Sequence, residues 1–381
     1  MVHLERIALC ALLAVAGTPA LAQQAEFTPE QLTVRDAIDP GPNVLVYQQE
    51  WKGAGSIAVF GKNDLAFKGL MTSGMMGQMV VAPDGRRAYG QSTFMKRIVY
   101  GDFEQVVQIY DVPTLSVVGE IALPPKAAMT LGYEPMFRLS ADGAFLYVQN
   151  GTPAASVTVV DTAKGTAVQE IPTPGCWGIY PSTAGHAFST ICGTGTFQTF
   201  ALSAEGTVTG KTQSAAIFDV DTDPIFISGA RVDGDLVFVS FNGTLHRLSD
   251  ADGTVKAVAS RRITDGVEGA WAPGGYNLIA YAAKAGVLFV GMHANAGDGS
   301  HKNPAEEIWA YDVKGGTVLS RSPVEHIASL TVSDDDAPVL FGLSEEPKLY
   351  RFTSDPAAGF TLTAAGTAAI TGFASVAAVT P

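Results

Sequence analysis

Basic residues are few along this chain of 381 residues: 24 lysines and arginines stand against 37 aspartates and glutamates, for a net charge of −13. Nucleic acid is thereby excluded as a partner, because displacing its counterions takes clustered lysine and arginine. The acidic balance fits solubility and a docking partner of opposite or mixed charge. Cysteine is scarcer still, at three residues. No Gly-x-Ser-x-Gly elbow is present, which removes the commonest serine-hydrolase signature. His186, His246, His293, His301 and His326 form no helix-borne pair and have no cysteine partner at metal spacing. No metal is therefore expected, and only a site closing across a central channel stays open. Gly193-Thr194-Gly195 lacks the third glycine and the helix that would hold a pyrophosphate. Asp219-Val220-Asp221-Thr222-Asp223 opens like a calcium loop, yet Pro224 and Ala230 stand where that loop needs glycine and glutamate. The neighbouring acids Glu306-Glu307 and Glu345-Glu346 point to opposite faces if on strands and read as solvated surface.

What is present begins with an export signal at residues 1–22. Residues 7–16 are apolar and Ala20-Leu21-Ala22 is a small-x-small cleavage site. The apolar stretch is shorter than the roughly 20 residues of a spanning helix, so no membrane anchor is expected. Cleavage would discard Cys10 and leave Cys176 and Cys192. In an oxidising compartment these two make one disulfide tying a hairpin of the third repeat; two separate buried thiols are the alternative. Residues 23–43 read as an arm. Within it Thr28-Pro29-Glu30-Gln31 is a capping box that predicts a short helix over residues 29–38.

From residue 44 to 381 the chain reads as nearly all strand. One phrase recurs, an apolar run that ends in a turn and is followed by a second apolar run. Its anchors are Gly61, Asp111, Asp161, Ala201, Ser249, Asp312 and Thr353, spaced 40 to 63 residues apart. The clearest copies occupy 107–121, 157–171 and 308–320. A period of about 40 to 50 residues, each with several strands, belongs to a β-propeller, whose modules cannot bury their faces alone. Seven anchors predict an all-β, seven-bladed β-propeller. Asp84-Gly85 and Asp142-Gly143 mark tight hairpin turns between alternating strands. The longest interval, around residues 268–302, is the least repetitive and is expected to form contact loops on one face. Met71, Met75, Met76 and Met79 cluster in sequence, which suits either core packing or a ligand contact.

Three stretches together resemble the heavy subunit of the methylamine and aromatic amine dehydrogenases. The first is Ser92-Thr93-Phe94-Met95-Lys96-Arg97-Ile98 with Gly101-Asp102-Phe103 and Val107-Gln108-Ile109-Tyr110-Asp111. The second is Gly175-Cys176-Trp177 with Ile179-Tyr180-Pro181, leading to Cys192. The third is Trp271-Ala272-Pro273-Gly274-Gly275, then His301-Lys302, Glu307-Ile308-Trp309-Ala310-Tyr311-Asp312, and Pro338-Val339-Leu340-Phe341-Gly342-Leu343-Ser344. The resemblance implies a periplasmic heterotetramer of two heavy and two light chains. In such an assembly the light chain carries tryptophan tryptophylquinone and the catalytic base, and a cupredoxin or cytochrome c accepts the electrons. On that reading this chain holds no cofactor and no catalytic residue, and Trp51, Trp177, Trp271 and Trp309 are structural or interface residues. The segment Ser73-Gly74-Met75-Met76-Gly77-Gln78-Met79 matches the one that lines the family's substrate channel, with Met75 at the position of an aromatic residue. Ala272 and Tyr276 depart from methylamine-type sequences, so the amine stays open. Two other readings are a stand-alone periplasmic propeller that binds a protein or ligand, and a self-sufficient propeller enzyme such as a lactonase.

Overall fold

The computed structural model describes residues 34–381 except Val99. The expected export signal and most of the expected helix lie outside the described residues. Residues 34–38, the end of that helix, are not helical. The chain divides into Met1–Asp36, of which only three irregular residues are described, and a unit spanning Ala37–Pro381.

The larger unit is built almost wholly of antiparallel sheet, in modules of four strands. The first sheet runs in the order Phe373–Val379, Asn43–Gln49, Gly55–Gly61 and Phe67–Ser73. Four more sheets follow in simple meander order, beginning with Met75–Val81, Phe137–Leu139, Cys176–Pro181 and Ile225–Val232. The second strands are buried along nearly their whole length, as in Asn43–Gln49 and Phe145–Asn150. They are covered on both faces by neighbouring sheets, so apolar residues occupy both sides instead of alternating with polar ones. Fourth strands lie at the rim, and every residue of Lys256–Arg262 is exposed. This gradient from buried to exposed is that of propeller blades, with the first strand of each sheet nearest the axis.

The remaining chain forms one sheet of eight strands. Its 16-residue strand Thr317–Val332 pairs with Ala305–Asp312 mainly through its first half and with Val339–Ser344 through its second half. His326, at φ +50°, bends it between the two. The expected count of seven separate blades is therefore corrected: five sheets stand alone as four-stranded blades. The last two anchors, Asp312 and Thr353, share the eight-stranded sheet because one long strand, Thr317–Val332, serves as the partner of both Ala305–Asp312 and Val339–Ser344.

The anchors work through turn chemistry. The Asp161 carboxylate accepts from the backbone N–H groups of Ala163 and Lys164 at 3.0 and 2.8 Å. Asp312 does the same for Lys314 and Gly315 at 2.9 Å each, and Asp111 takes the Thr114 hydroxyl at 2.7 Å. Aspartate at these places supplies a turn's acceptor from its own side chain. These bonds hold the Asp111 and Asp161 carboxyls below their usual range, with the Thr114 hydroxyl and the Lys164 ammonium the leading causes. The Asp-Gly hairpins are also present, with Gly85 and Gly143 at φ +68° and +73°.

The first sheet draws its innermost strand, Phe373–Val379, from the far end of the chain. That strand pairs antiparallel with Asn43–Gln49. Beyond it, Asn43 and Thr380 exchange two hydrogen bonds of 2.8 Å, one through the threonine hydroxyl.

Cys176 and Cys192 form the expected disulfide. They face each other across the first two strands of the sheet that carries the fourth anchor, Ala201, and not the third. The bridge closes a loop with a sequence separation of 16 residues. Losing it by Cys176→Ser should cost about 3 kcal/mol of stability by the chain-entropy model. Thermal unfolding under oxidising conditions reads this directly; a variant melting with the parent would refute a stabilising role.

Candidate functional site

Meander topology puts two kinds of loop on the same end of the barrel axis: those joining second to third strands, and those joining one sheet's last strand to the next sheet's first. Trp51 lies on the first kind of loop and Ile98 and Tyr100 on another of that kind, while Gly74 belongs to the second kind. Backbone contact between these loops is direct, since the Met76 N–H donates to the Glu50 carbonyl at 3.1 Å.

The methionine cluster divides on this face. Met71 and Met79 belong to a core cluster with Tyr47 and Tyr110. Met75 is also buried, at 6% exposure, whereas Met76 is half-buried. A bulge between Met75 and Gln78 produces the split by shifting register against the neighbouring strand. It holds Met76 at φ +46°, a strained value for a side chain of that size. The bulge is fastened from three sides. Gly77 N–H donates to the Tyr47 hydroxyl at 3.0 Å, that hydroxyl meets Ser73 Oγ at 2.9 Å, and Gly74 N–H donates to Ser92 Oγ at 3.0 Å. Gly77 must be glycine because a Cβ there would collide with the Gln91 carbonyl and the Tyr47 hydroxyl. Burial pushes the Tyr47 phenol up to about 12, only partly offset by its Ser73 and Gly77 partners.

Beside the bulge, residues 130–134 are stapled across the inner ends of several sheets. Gln49 Nε2 donates to the Thr130 carbonyl at 2.7 Å and Gln78 Nε2 to the Leu131 carbonyl at 3.2 Å. Ser375 Oγ donates to the Gly132 carbonyl at 2.6 Å, and the Tyr133 N–H donates back to Gln78 Oε1 at 3.1 Å. Asn277 completes the set: its Oδ1 accepts from the Glu134 N–H at 3.1 Å and its Nδ2 donates to the Ser375 carbonyl at 2.5 Å. The mouth of the axial channel is thus crossed by backbone. Over it runs an aromatic strip in which Tyr133 meets Tyr276 at 6.1 Å, Tyr276 meets Phe373 at 5.4 Å, and Phe373 meets Trp51 at 6.3 Å between ring centroids. Each lies in the range of favourable aromatic pairs. Trp51 is 42% exposed, and the adjoining hairpin adds Phe94, Ile98, Tyr100 and Phe103, all exposed.

The part of the long interval in the loops at residues 263–271 and 294–304 lies at the same end. With residues of the fifth sheet it borders a cleft of about 740 Å³ that includes Asp221, Asp265, Asp298, Arg262 and Trp271. His301 stacks on Phe241 at 4.3 Å there. Trp271 packs on the fully buried Trp309 at 5.7 Å, and the Arg321 guanidinium covers both rings at 4.5 and 4.8 Å. Glu307, expected to be solvated, instead accepts from Trp309 Nε1 and Arg321 Nε at 2.7 Å each.

The remaining candidates are structural. Asp223 accepts from Ser240, Thr244 and Asn242 and ties a turn. His186 bonds Asp142 at 2.8 Å, and His246 bonds Ser260 at 3.0 Å. Among the described residues no group of three or more His, Cys, Asp or Glu is placed to hold a metal. Sequence reading paired the cysteines correctly and singled out Met75, which the structure buries, but gave no sign of Gln49, Gln78, Asn277 and Ser375. Their hydrogen bonds to residues 130–134 span up to 243 residues of sequence, and single polar residues leave no periodic signal.

Comparison with known proteins agrees with this architecture. The family model described as methylamine dehydrogenase heavy chain matches residues 53–366. The chain is similar to the methylamine dehydrogenase heavy chain of Methylophilus methylotrophus, 25% identical over 296 residues, covering 76% of this chain and 72% of that one. It is likewise similar to that of Methylorubrum extorquens, 29% identical over 299 residues, covering 76% and 71%. Among solved structures, the periplasmic gluconolactonase of Pseudomonas aeruginosa superposes with a TM-score of 0.61 at 17% identity, covering 89% of this chain and 99% of that one. A dihydro-heme d1 dehydrogenase superposes with a TM-score of 0.55 at 14% identity, covering 92% and 77%. At such identities the two structures speak for the fold alone.

Proposed function

The chain belongs to the methylamine dehydrogenase heavy-chain family, and on that footing we propose that it is the non-catalytic heavy subunit of a periplasmic, tryptophan tryptophylquinone-dependent amine dehydrogenase. Family membership makes it a subunit of an amine dehydrogenase with a light-chain partner. The rest is the present reading: two heavy and two light chains, the quinone and catalytic base on the light chain, and a cupredoxin or cytochrome c as acceptor. The quinone would supply the electron sink for oxidising a primary amine to aldehyde and ammonia. Trp271 and Trp309, packed on each other under Arg321, read as structural residues.

The observation that carries the reading is the exposed apolar face around the closed channel mouth, the aromatics Trp51, Phe94, Tyr100 and Phe103 with Ile98. Large aromatics grouped on one face are what a partner subunit buries. The heavy chain would then present a rigid platform, with the bulge at Met75 and Met76 forming part of the wall past which the amine travels. Met75→Phe would stiffen that wall. It should change the order of activity among amines of different bulk in the assembled enzyme, and an unchanged order would remove Met75 from the substrate path.

Purification of the native complex from the periplasm tests the whole reading. A small partner with a quinone spectrum should accompany the chain, and amine oxidation should require it. Turnover of amines by this polypeptide alone would overturn the assignment.

A further inference from the structure

The strap across the channel mouth carries a charged pair on its inner side. Glu134 opens the short 3-10 turn Glu134–Met136, and Arg138 follows on the strand Phe137–Leu139. Arg138 Nη1 lies 3.4 Å from Glu134 Oε2, a long contact for an ion pair. Both residues border two axial cavities, of about 360 and 90 Å³. The larger is walled mainly by apolar side chains, among them Met79, Leu139, Val332, Val376 and Val379. It reaches Pro83 and Ser140, which follow the far ends of their inner strands. The shaft is therefore closed at the aromatic face and reached from the opposite one.

The pair is under-used. Among the described residues the Arg138 guanidinium makes that single long hydrogen bond, out of five N–H donors, and Glu134 Oε1 accepts none. Arg231, which also borders the smaller cavity, shows the contrast: it grips both Asp250 oxygens at 2.8 and 2.7 Å and donates to the Pro181 and Gly234 carbonyls. Both side chains are only half-buried, at 37% and 34% exposure for Arg138 and Glu134, and desolvation raises the Glu134 carboxyl above its usual range with Arg138 opposing the rise.

A lone anion or cation entering this shaft would leave a net charge between apolar walls, which is costly. A zwitterion avoids that cost and gives each protein charge an opposite neighbour. We propose that the axial shaft binds a neutral α-amino acid with an aliphatic side chain. Its carboxylate pairs with Arg138, its ammonium with Glu134, and its side chain lies against the wall formed by Met79, Leu139 and Val376. The proposal does not depend on the amine dehydrogenase reading.

Calorimetric titration of the full purified chain, in its native assembly, decides the matter with three probes. They are leucine, 4-methylpentanoate, which lacks the ammonium, and leucinamide, which lacks the carboxylate. Leucine should bind at least about tenfold more tightly than either analogue. Arg138→Met and Glu134→Gln should each weaken leucine about tenfold or more, with unfolding curves reporting whether each variant is folded. No heat from leucine up to about 10 mM, or an analogue that matches it, overturns the proposal without reference to any variant. So does undiminished leucine binding in both folded variants.

Discussion

Replacing Trp51 and Tyr100 together by aspartate is expected to strip the small partner from the purified complex. Both side chains are exposed, at 42% and 58%, so the isolated fold should be unharmed. In an interface, large aromatic anchors often contribute 2 kcal/mol or more each, and an aspartate in their place must be desolvated without a counter-charge. The dissociation constant for the light chain should therefore rise by about a hundredfold or more. Phe67→Asp is the control, since Phe67 is exposed on an outermost strand away from the channel mouth. It should leave affinity unchanged. If the double variant retains its partner while the control loses it, the docking face has been assigned to the wrong part of the molecule.

The second large effect concerns the core between the fifth sheet and the eight-stranded sheet. Trp309 is fully buried in a cluster with Val290, Met292 and Tyr311, lies against Trp271, and donates to Glu307. Trp309→Ala removes the largest fully buried side chain among the described residues and should cost about 3–5 kcal/mol. Truncation also withdraws one of the two donors that hold the Glu307 carboxylate and frees Arg321 from one ring. Trp309→Phe, which keeps much of the volume but loses the N–H, should cost less, on the order of 1–3 kcal/mol. Urea midpoints for the pair give the comparison. A loss below about 1 kcal/mol for the alanine variant would mean that the stack contributes little.

The propeller was legible because its modules are local. An apolar run, a turn and a second apolar run are read within 15 residues, and the aspartate anchors confirm the reading by capping the turns they introduce. The number of separate sheets was not legible in the same way. Sequence counts anchors, whereas a sheet is bounded by where backbone pairing stops. The strand Thr317–Val332 carries pairing across the boundary between the last two anchors. The disulfide was readable from cysteine number, yet its place in the sheet of the fourth anchor depended on how strands are shared between modules.

The candidate face divides along the same line. Local pattern was enough to specify an all-β ring of strand modules, an acidic surface, a cysteine pair across a hairpin and a family likeness running through most of the chain. Pairing at long range was needed to bring Trp51, Tyr133, Tyr276 and Phe373 into one aromatic strip, and to set Gln78, Asn277 and Ser375 around the strap that closes the channel. Periodicity records which side of its own strand a residue faces. It holds no record of which distant strand lies opposite, and that is settled only when the ring closes and the buried polar groups must find partners.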